Sequence, residues 1–456
     1  RAPRAELVGS PAAARLTMPK TIIIGAAGAV GKRLTAALSR AGSEVIAADR
    51  MEVMGLTLRQ MAKTCVGGVD VRDKDALGKL FKEHGGPETA VWNLASPLSV
   101  ETALSPEVAQ EVVIGGMENV LGAMKSVGCR RICFTDSIGS FGATSPRENV
   151  SARWLVDNPT QDPGSDYGLQ KRACRELLDE FAQRDGGDPR IAILPGVLHA
   201  EPVWGNGTTE YALDAMLAAS RGQEFECPID LDVKLPMVFV DDLMCGLTAL
   251  QMAPESELRE PQRLYNMPGL TFTAAELFRE ISAHVPGFMH HQKINANMDK
   301  FAKLWPDTLS PDETLRDLDY EPEVTLPRMV AAVLNAHSGR RMTSRAGFRS
   351  IDTCDSGRIN PHMLEKFVRK HLVRGRETYG HTALLNRQDM VGDIVVGVLK
   401  ELDTDSDGVV SLDDFLEWSR VHNLETLVDD YAAAAWEKER RIERLEAQAT
   451  SGTPYD

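Results

Sequence analysis

Tyr167-Gly168-Leu169-Gln170-Lys171 sets a phenol and an ammonium four residues apart. On a helix that spacing points both groups the same way, because positions i and i+4 share a face. Far upstream, Thr21-Ile22-Ile23-Ile24-Gly25-Ala26-Ala27-Gly28-Ala29-Val30-Gly31 runs β-branched residues straight into a glycine loop, and Lys32–Leu38 follows with helical spacing. Strand, glycines, then helix is the order a dinucleotide needs. The glycines let the backbone approach a pyrophosphate, which rests on the free N–H groups of the new helix. A second strand, Glu44–Ala48, ends in Asp49, about where an acid meets the adenosine ribose hydroxyls; Arg50 stands beside it.

These groups must be held by a regular frame. After Asp49 the sequence predicts a helix around Leu56–Lys63 and a strand ending at Val69-Asp70-Val71, an acid-apolar pair that commonly borders an adenine pocket. A helix over Lys74–Glu83 leads to a fourth strand, Ala90–Asn93, running through Leu94 and Ala95 into a loop of small residues. Helical periodicity spans Val108–Val127, Arg131–Ser137 reads as a fifth strand, and Asp166–Gln183 as the helix carrying the phenol and ammonium. Strands alternating with helices at this pace predict a mostly parallel, doubly wound sheet. Ligands bind such sheets beyond the carboxyl ends of the strands, where Gly25, Ser96, Ser99 and Ser137 fall.

Length and composition set the outer bounds. At 456 residues, with 43 % hydrophobic and 26 % charged residues, the chain has enough apolar mass for two domains. A net charge of −15 with no basic block argues against nucleic acid as a partner. No apolar run approaches the roughly 20 residues that span a bilayer. The seven cysteines are scattered and read as reduced, small apolar residues. Residues 1–20 are rich in Arg and Ala and poor in acids, which fits either the remnant of an organellar transit sequence or a flexible lead-in.

In sequence order these parts resemble the extended short-chain dehydrogenases/reductases, and among them the short-chain type of L-threonine 3-dehydrogenase. The resemblance is carried by Phe134–Pro146, Pro195-Gly196-Val197, Gly207-Thr208-Thr209-Glu210-Tyr211, Leu235–Asp242, Tyr265-Asn266 and Trp305-Pro306, and runs from Thr21 to about His337. It implies a Rossmann α/β fold with a smaller α/β substrate-binding region, and NAD held by Gly25, Gly28, Ala29, Val30, Gly31, Asp49 and Arg50. Further cofactor contacts are implied at Asp70, Val71, Leu94, Ala95, Tyr167, Lys171, Pro195 and Leu198. It also implies Tyr167 as the base that takes the hydroxyl proton, Lys171 as its electrostatic partner, and Ser137 as the group that holds the substrate oxygen. An ordinary phenol ionises near pH 10, so such a base needs about 4 kcal/mol of stabilisation at neutral pH. Ser99, Thr208, Thr209 and Trp305 fall at the family's substrate contacts. Two positions depart from the pattern: Val113 stands where the family has an asparagine, and Ile193 where it has an arginine.

A second module follows Ser338-Gly339-Arg340-Arg341, a polar stretch that reads as a boundary. Asp403-Thr404-Asp405-Ser406-Asp407-Gly408-Val409-Val410-Ser411-Leu412-Asp413-Asp414 has the frame of an EF-hand loop, with Asp403, Asp405, Asp407, Val409, Ser411 and Asp414 as ligands for Ca2+, or for Mg2+. Asp352–Met363 has the same frame, but Cys354, Ser356 and Met363 hold its ligand positions, so it reads as a metal-free partner. Glu425–Gln448 reads as a charged packing helix.

The expectation is therefore a flexible segment (1–20), an NAD-binding catalytic domain (21–337) and an all-α EF-hand pair with a C-terminal helix (338–456). The expected activity is NAD-dependent oxidation of L-threonine or a related 3-hydroxy amino acid to the 3-oxo product. Alternatives are a non-catalytic dinucleotide-binding subunit of a larger assembly, and a sugar-nucleotide epimerase or dehydratase. The expected partners are a small amino-acid substrate and either a second copy of the chain or a larger assembly docked through the EF-hand module. The mitochondrial matrix is the expected compartment.

Overall fold

The computed structural model describes residues 19–97, 102, 105–200, 207–258, 263–352, 356, 358–374, 388–403, 409–411 and 415. Its centre is a seven-stranded sheet built from β1 (Thr21–Ile24), β2 (Val45–Ala48), β3 (Thr64–Val66), β4 (Ala90–Asn93), β5 (Arg131–Ser137), β6 (Asp188–Leu194) and, later in the chain, Arg263–Asn266. Every pairing in it is parallel. β1 is buried at all four positions, as a strand covered on both faces must be. Ile22 and Ile24 face one apolar core, and Ile23 faces the other.

Three short strands follow β6: β7 (Gly196–Leu198), β8 (Phe225–Cys227) and β9 (Lys234–Phe239). Then come β10, the Arg263–Asn266 strand, β11 (Leu270–Thr273) and β12 (His290–Gln292). The central sheet therefore has the order β10-β6-β5-β4-β1-β2-β3, with its switch point between β1 and β4. β11, β9 and β7 form a small sheet, and β12 pairs with β8. These supply the smaller α/β region, whose helices Tyr211–Arg221 and Ala274–His284 bury their apolar faces in the same core as Ile22.

Two local expectations need correction. The third strand ends at Val66, and Val69–Val71 lies beyond it, leading into a turn at Asp70–Asp73, because Gly67 and Gly68 end the extended run. The Val108–Val127 helix is interrupted: Pro106–Gln110 and Gly116–Ser126 are α-helical, and Glu111–Gly115 between them is a π-turn. Ser338 and Gly339 lie inside one continuous helix, Leu326–Ile351. A helical glycine costs only about 1 kcal/mol, and this helix is anchored at both ends. Met329, Val330, Val333 and Leu334 lie in the main core; Phe348 and Ile351 lie in a separate C-terminal core with Ile359, Val368, Ile394, Val398, Val410 and Phe415.

In that C-terminal module β13 (Arg358–Ile359) pairs antiparallel with β14 (Val410–Ser411). Ile359 and Val410, the eighth residues of the two loop frames, face each other and are both fully buried. No helix among the described residues is long and apolar enough to cross a membrane.

Candidate active site

The glycine loop lies at the switch point, beyond the ends of β1 and β4. Gly25 has φ +83°, and a Cβ there would sit 3.0 Å from the Leu94 carbonyl carbon and the Ala95 nitrogen. A methyl at Gly31 would collide with the Gly25 carbonyl oxygen. Gly28 is the N-cap of the helix Ala29–Arg40, whose first turn holds Ala29, Val30 and Gly31 and has neither a side-chain cap nor an acidic residue. The N–H groups of that turn are left for an anion, and the donor set fits a dinucleotide pyrophosphate.

Asp49 is buried at the end of β2. Its Oδ2 accepts from the Ala27 N–H (2.8 Å) and its Oδ1 from the Met51 N–H (3.1 Å). The acid is thereby fixed against the glycine loop itself, while Arg50 beside it is exposed. Asp70 is gripped by Arg72, whose Nη2 lies 2.7 Å from Oδ2, and this holds its carboxyl below the usual range. Val71 is buried, and Gly116 lets the neighbouring helix close on it: a Cβ there would lie 2.7 Å from Val71 Cγ2.

Ser137 ends β5, and its Oγ accepts from the Gly139 N–H at 3.1 Å. Tyr167 opens the helix Asp166–Asp185, which Ser165 caps by accepting from the Gly168 N–H. Strand end and helix meet through two glycines. A Cβ on Gly139 would stand 3.0 Å from Tyr167 Cδ1 and 3.6 Å from Ser137 Oγ, so the ring and the hydroxyl flank one backbone position. A Cβ on Gly168 would collide with the Gly139 carbonyl oxygen.

Lys171 is buried, one turn after Tyr167. Its Nζ donates to the Thr135 carbonyl (2.9 Å) and lies 5.4 Å from the Tyr167 ring centroid and 4.8 Å from that of Phe134. Tyr167 and Lys171 therefore lie near each other, as the i,i+4 spacing predicts, with Ser137 across Gly139 from the tyrosine ring.

The substrate-side residues are less uniform. Thr208 is buried and its hydroxyl has no hydrogen-bond partner among the described residues. Thr209 packs on Gly196, and its Oγ1 donates to Glu210 Oε2 at 3.2 Å; burial raises the Glu210 carboxyl. Trp305 is buried, stacked on Phe301, with its indole N–H unpartnered. Pro195 and Leu198 are buried around β7. Ser99 lies outside the described residues, as do Asp405, Asp407, Asp414 and the Glu425–Gln448 segment. Asp403 follows the helix Gln388–Leu402, and Val409 and Ser411 lie at β14. The six-oxygen donor set written in the sequence suits calcium. No group of three or more His, Cys, Asp or Glu that could hold a metal ion occurs among the described residues.

Both departures are apolar and closed. Ile193 is fully buried in β6. Val113 is buried in the π-turn, and its carbonyl accepts from Cys174 Sγ at 3.5 Å; burial pushes that thiol up to about 12. Sequence reasoning missed Asp136, Ser140 and Arg175, a buried polar group directly behind Ser137. Arg175 pairs with Asp136 Oδ2 and donates to Ser140 Oγ at 2.8 Å, and Ser140 donates to Asp136 Oδ1 at 2.6 Å. The signal was present, since Arg175 lies one turn beyond Lys171 on the same face.

Known proteins resemble this chain in sequence and fold. Residues 21–266 match the NAD dependent epimerase/dehydratase family, and residues 344–420 an EF-hand domain pair. The mitochondrial L-threonine 3-dehydrogenase of Sus scrofa is 30 % identical over 263 residues, covering 57 % of this chain and 67 % of that protein. Among solved structures, the holo form of a GalE-like L-threonine dehydrogenase from Cupriavidus necator is 28 % identical with a TM-score of 0.62, covering 69 % of this chain and 99 % of that one. The L-threonine dehydrogenase of Clostridium difficile is 25 % identical with a TM-score of 0.63, covering 71 % and 98 %.

Proposed function

The chain belongs to the NAD dependent epimerase/dehydratase family, and from that premise we propose that it oxidises the secondary alcohol of L-threonine or a related 3-hydroxy amino acid. The observation that carries the reading is the Tyr167 ring and the Ser137 hydroxyl flanking Gly139 at the carboxyl end of β5, with Lys171 Nζ 5.4 Å from that ring. Ser137 Oγ holds the substrate hydroxyl against the phenol oxygen. Tyr167 accepts the hydroxyl proton, and the Lys171 ammonium stabilises the phenolate that accepts it. Gly25, the Ala29–Gly31 turn and Asp49 hold the pyrophosphate and adenosine ribose. NAD, when bound, supplies the acceptor for the hydride lost by the substrate carbon. The orphaned Thr208 hydroxyl and Trp305 indole N–H are hydrogen-bonding groups that a polar substrate can engage.

The test is NAD reduction by purified protein with L-threonine, followed by other 3-hydroxy amino acids and UDP-sugars. Turnover of a UDP-sugar alone would overturn the reading in favour of an epimerase or dehydratase. A non-catalytic subunit is the second reading. It is favoured by the buried, apolar Val113 and Ile193, and tight NAD binding with no turnover of any panel member would establish it. We assign the C-terminal module to binding one calcium ion through the loop at Asp403. The chain is further assigned to the mitochondrial matrix, following the pig relative's name; fractionation of a tagged chain checks this.

A further inference from the structure

Behind the proposed catalytic residues lie two buried cations, Lys171 and Arg175, and one buried carboxylate, Asp136. The side chains of Asp136 and Arg175 are 0 % and 5 % exposed. Such a pair is no economical way to fill a core, because apolar residues of similar volume usually serve stability as well or better. Its placement is what needs explaining. Asp136 Oδ1 accepts from the backbone N–H of Ser137 itself (2.8 Å) and from Ser140 Oγ, while Arg175 Nη1 takes Oδ2. Asp136 and Phe134 alternate with Thr135 along β5, so both project from the same face of the sheet. Lys171 Nζ rests over the Phe134 ring and on the Thr135 carbonyl.

We propose that Arg175 is a positioning residue that occupies Asp136 and so keeps Lys171 free for Tyr167. The Asp136 carboxylate is needed where it stands, because it fixes the Ser137 amide and the Ile138–Ser140 turn. In that low-dielectric setting it attracts any mobile cation nearby. Arg175, with its rigid planar head, satisfies it from one helical turn beyond Lys171. Without that guanidinium, Lys171 is the buried cation left beside the carboxylate. Its ammonium is drawn off the Thr135 carbonyl toward Asp136 and away from the phenol.

A charge-cancelling pair of variants separates this role from simple packing. R175Q should lower kcat about 100-fold with substrate KM changed little. D136N/R175Q keeps an acceptor oxygen for Ser137 and Ser140 but carries no charge to compete for Lys171, and it should recover at least about tenfold of that loss. R175K, which keeps the cation, should lie closer to wild type than R175Q. A packing role predicts the reverse order, with the double variant no better than R175Q, and that result overturns the proposal. If R175Q yields no folded protein, the double variant decides: folded and within about tenfold of wild type supports the competition, folded and inactive or unfolded overturns it. The rates rest on the dehydrogenase reading, but a crystal structure of R175Q, or of R175A in its place, does not. Lys171 Nζ should be found on Asp136 there, whether or not the wild-type protein turns over a hydroxy amino acid, and a lysine still on Thr135 sinks the idea.

Discussion

On the proposed reading Asp49 has two tasks for one carboxylate. It accepts from Ala27 in the glycine loop and from Met51 beyond the strand, and it would meet the ribose hydroxyls with its remaining lone pairs. A 2′-phosphate would bring its charge against this buried acid, so NAD should bind at least about tenfold more tightly than NADP in calorimetry. Exposed Arg50 is too well solvated to reverse that. Equal affinity for the two would remove Asp49 from the role. Tyr167→Phe deletes only the phenolic oxygen and leaves the ring against Gly139. It should abolish turnover while NAD affinity stays within about twofold; more than a few per cent of wild-type kcat would mean another group is the base. The placing of Tyr167 and Lys171 on one helix face was legible in the sequence because it depends on local spacing. Arg175 was not, since its meaning depends on Asp136, 39 residues away, and that pairing exists only after strand and helix dock.

At the scale of elements, the site depends on how closely strand end and helix can approach. Gly139→Ala would place a methyl 3.0 Å from Tyr167 Cδ1. The ring must then shift by a few tenths of an ångström, and kcat should fall about tenfold or more with the fold retained. Gly78→Ala is the matched contrast. Nothing lies within 4 Å of its added methyl in the helix Lys74–His84, so stability should rise by about 0.5–1 kcal/mol with unchanged rates, as thermal melting can show. Four strands of the central sheet, β1, β2, β4 and β5, were readable as apolar runs. The π-turn at Glu111–Gly115 was not, because it keeps the same side-chain periodicity on either side and differs in which carbonyl each N–H finds. The small sheet of β7, β9 and β11 was also invisible, since strands of three to six residues carry little periodic signal.

The whole molecule joins a dinucleotide-binding sheet to a paired-loop module with its own core. In the upstream loop Ser356 Oγ lies 2.8 Å from both Asp352 Oδ1 and the Arg358 carbonyl, and the Ser356 N–H donates to the same Asp352 oxygen. Among the described residues of that loop Asp352 is engaged by Ser356, and the sequence of the frame offers few hard oxygens to a cation. Calorimetry on the full chain should therefore give close to one calcium per chain, weakened by an aspartate rather than a glutamate at position 414, and Asp403→Ala should remove it. Two equivalent sites, or none at millimolar calcium, would contradict the assignment. The module's existence was legible from one loop. Its joint to the rest, expected at Ser338 and Gly339, falls within one helix that runs from one core to the other.

That unbroken joint turns residue count into angle. Leu326–Ile351 is 26 residues long, so the module stands at the far end of a rod of about 39 Å. Each residue added or removed near Ser338 rotates everything beyond it by about 100° and shifts it by about 1.5 Å. A single-residue insertion would point the module in a different direction, whereas seven residues would bring it back within about 20° of its starting azimuth. The fusion is thus indexed like a screw thread, and related chains that keep both units should differ in this helix by whole turns.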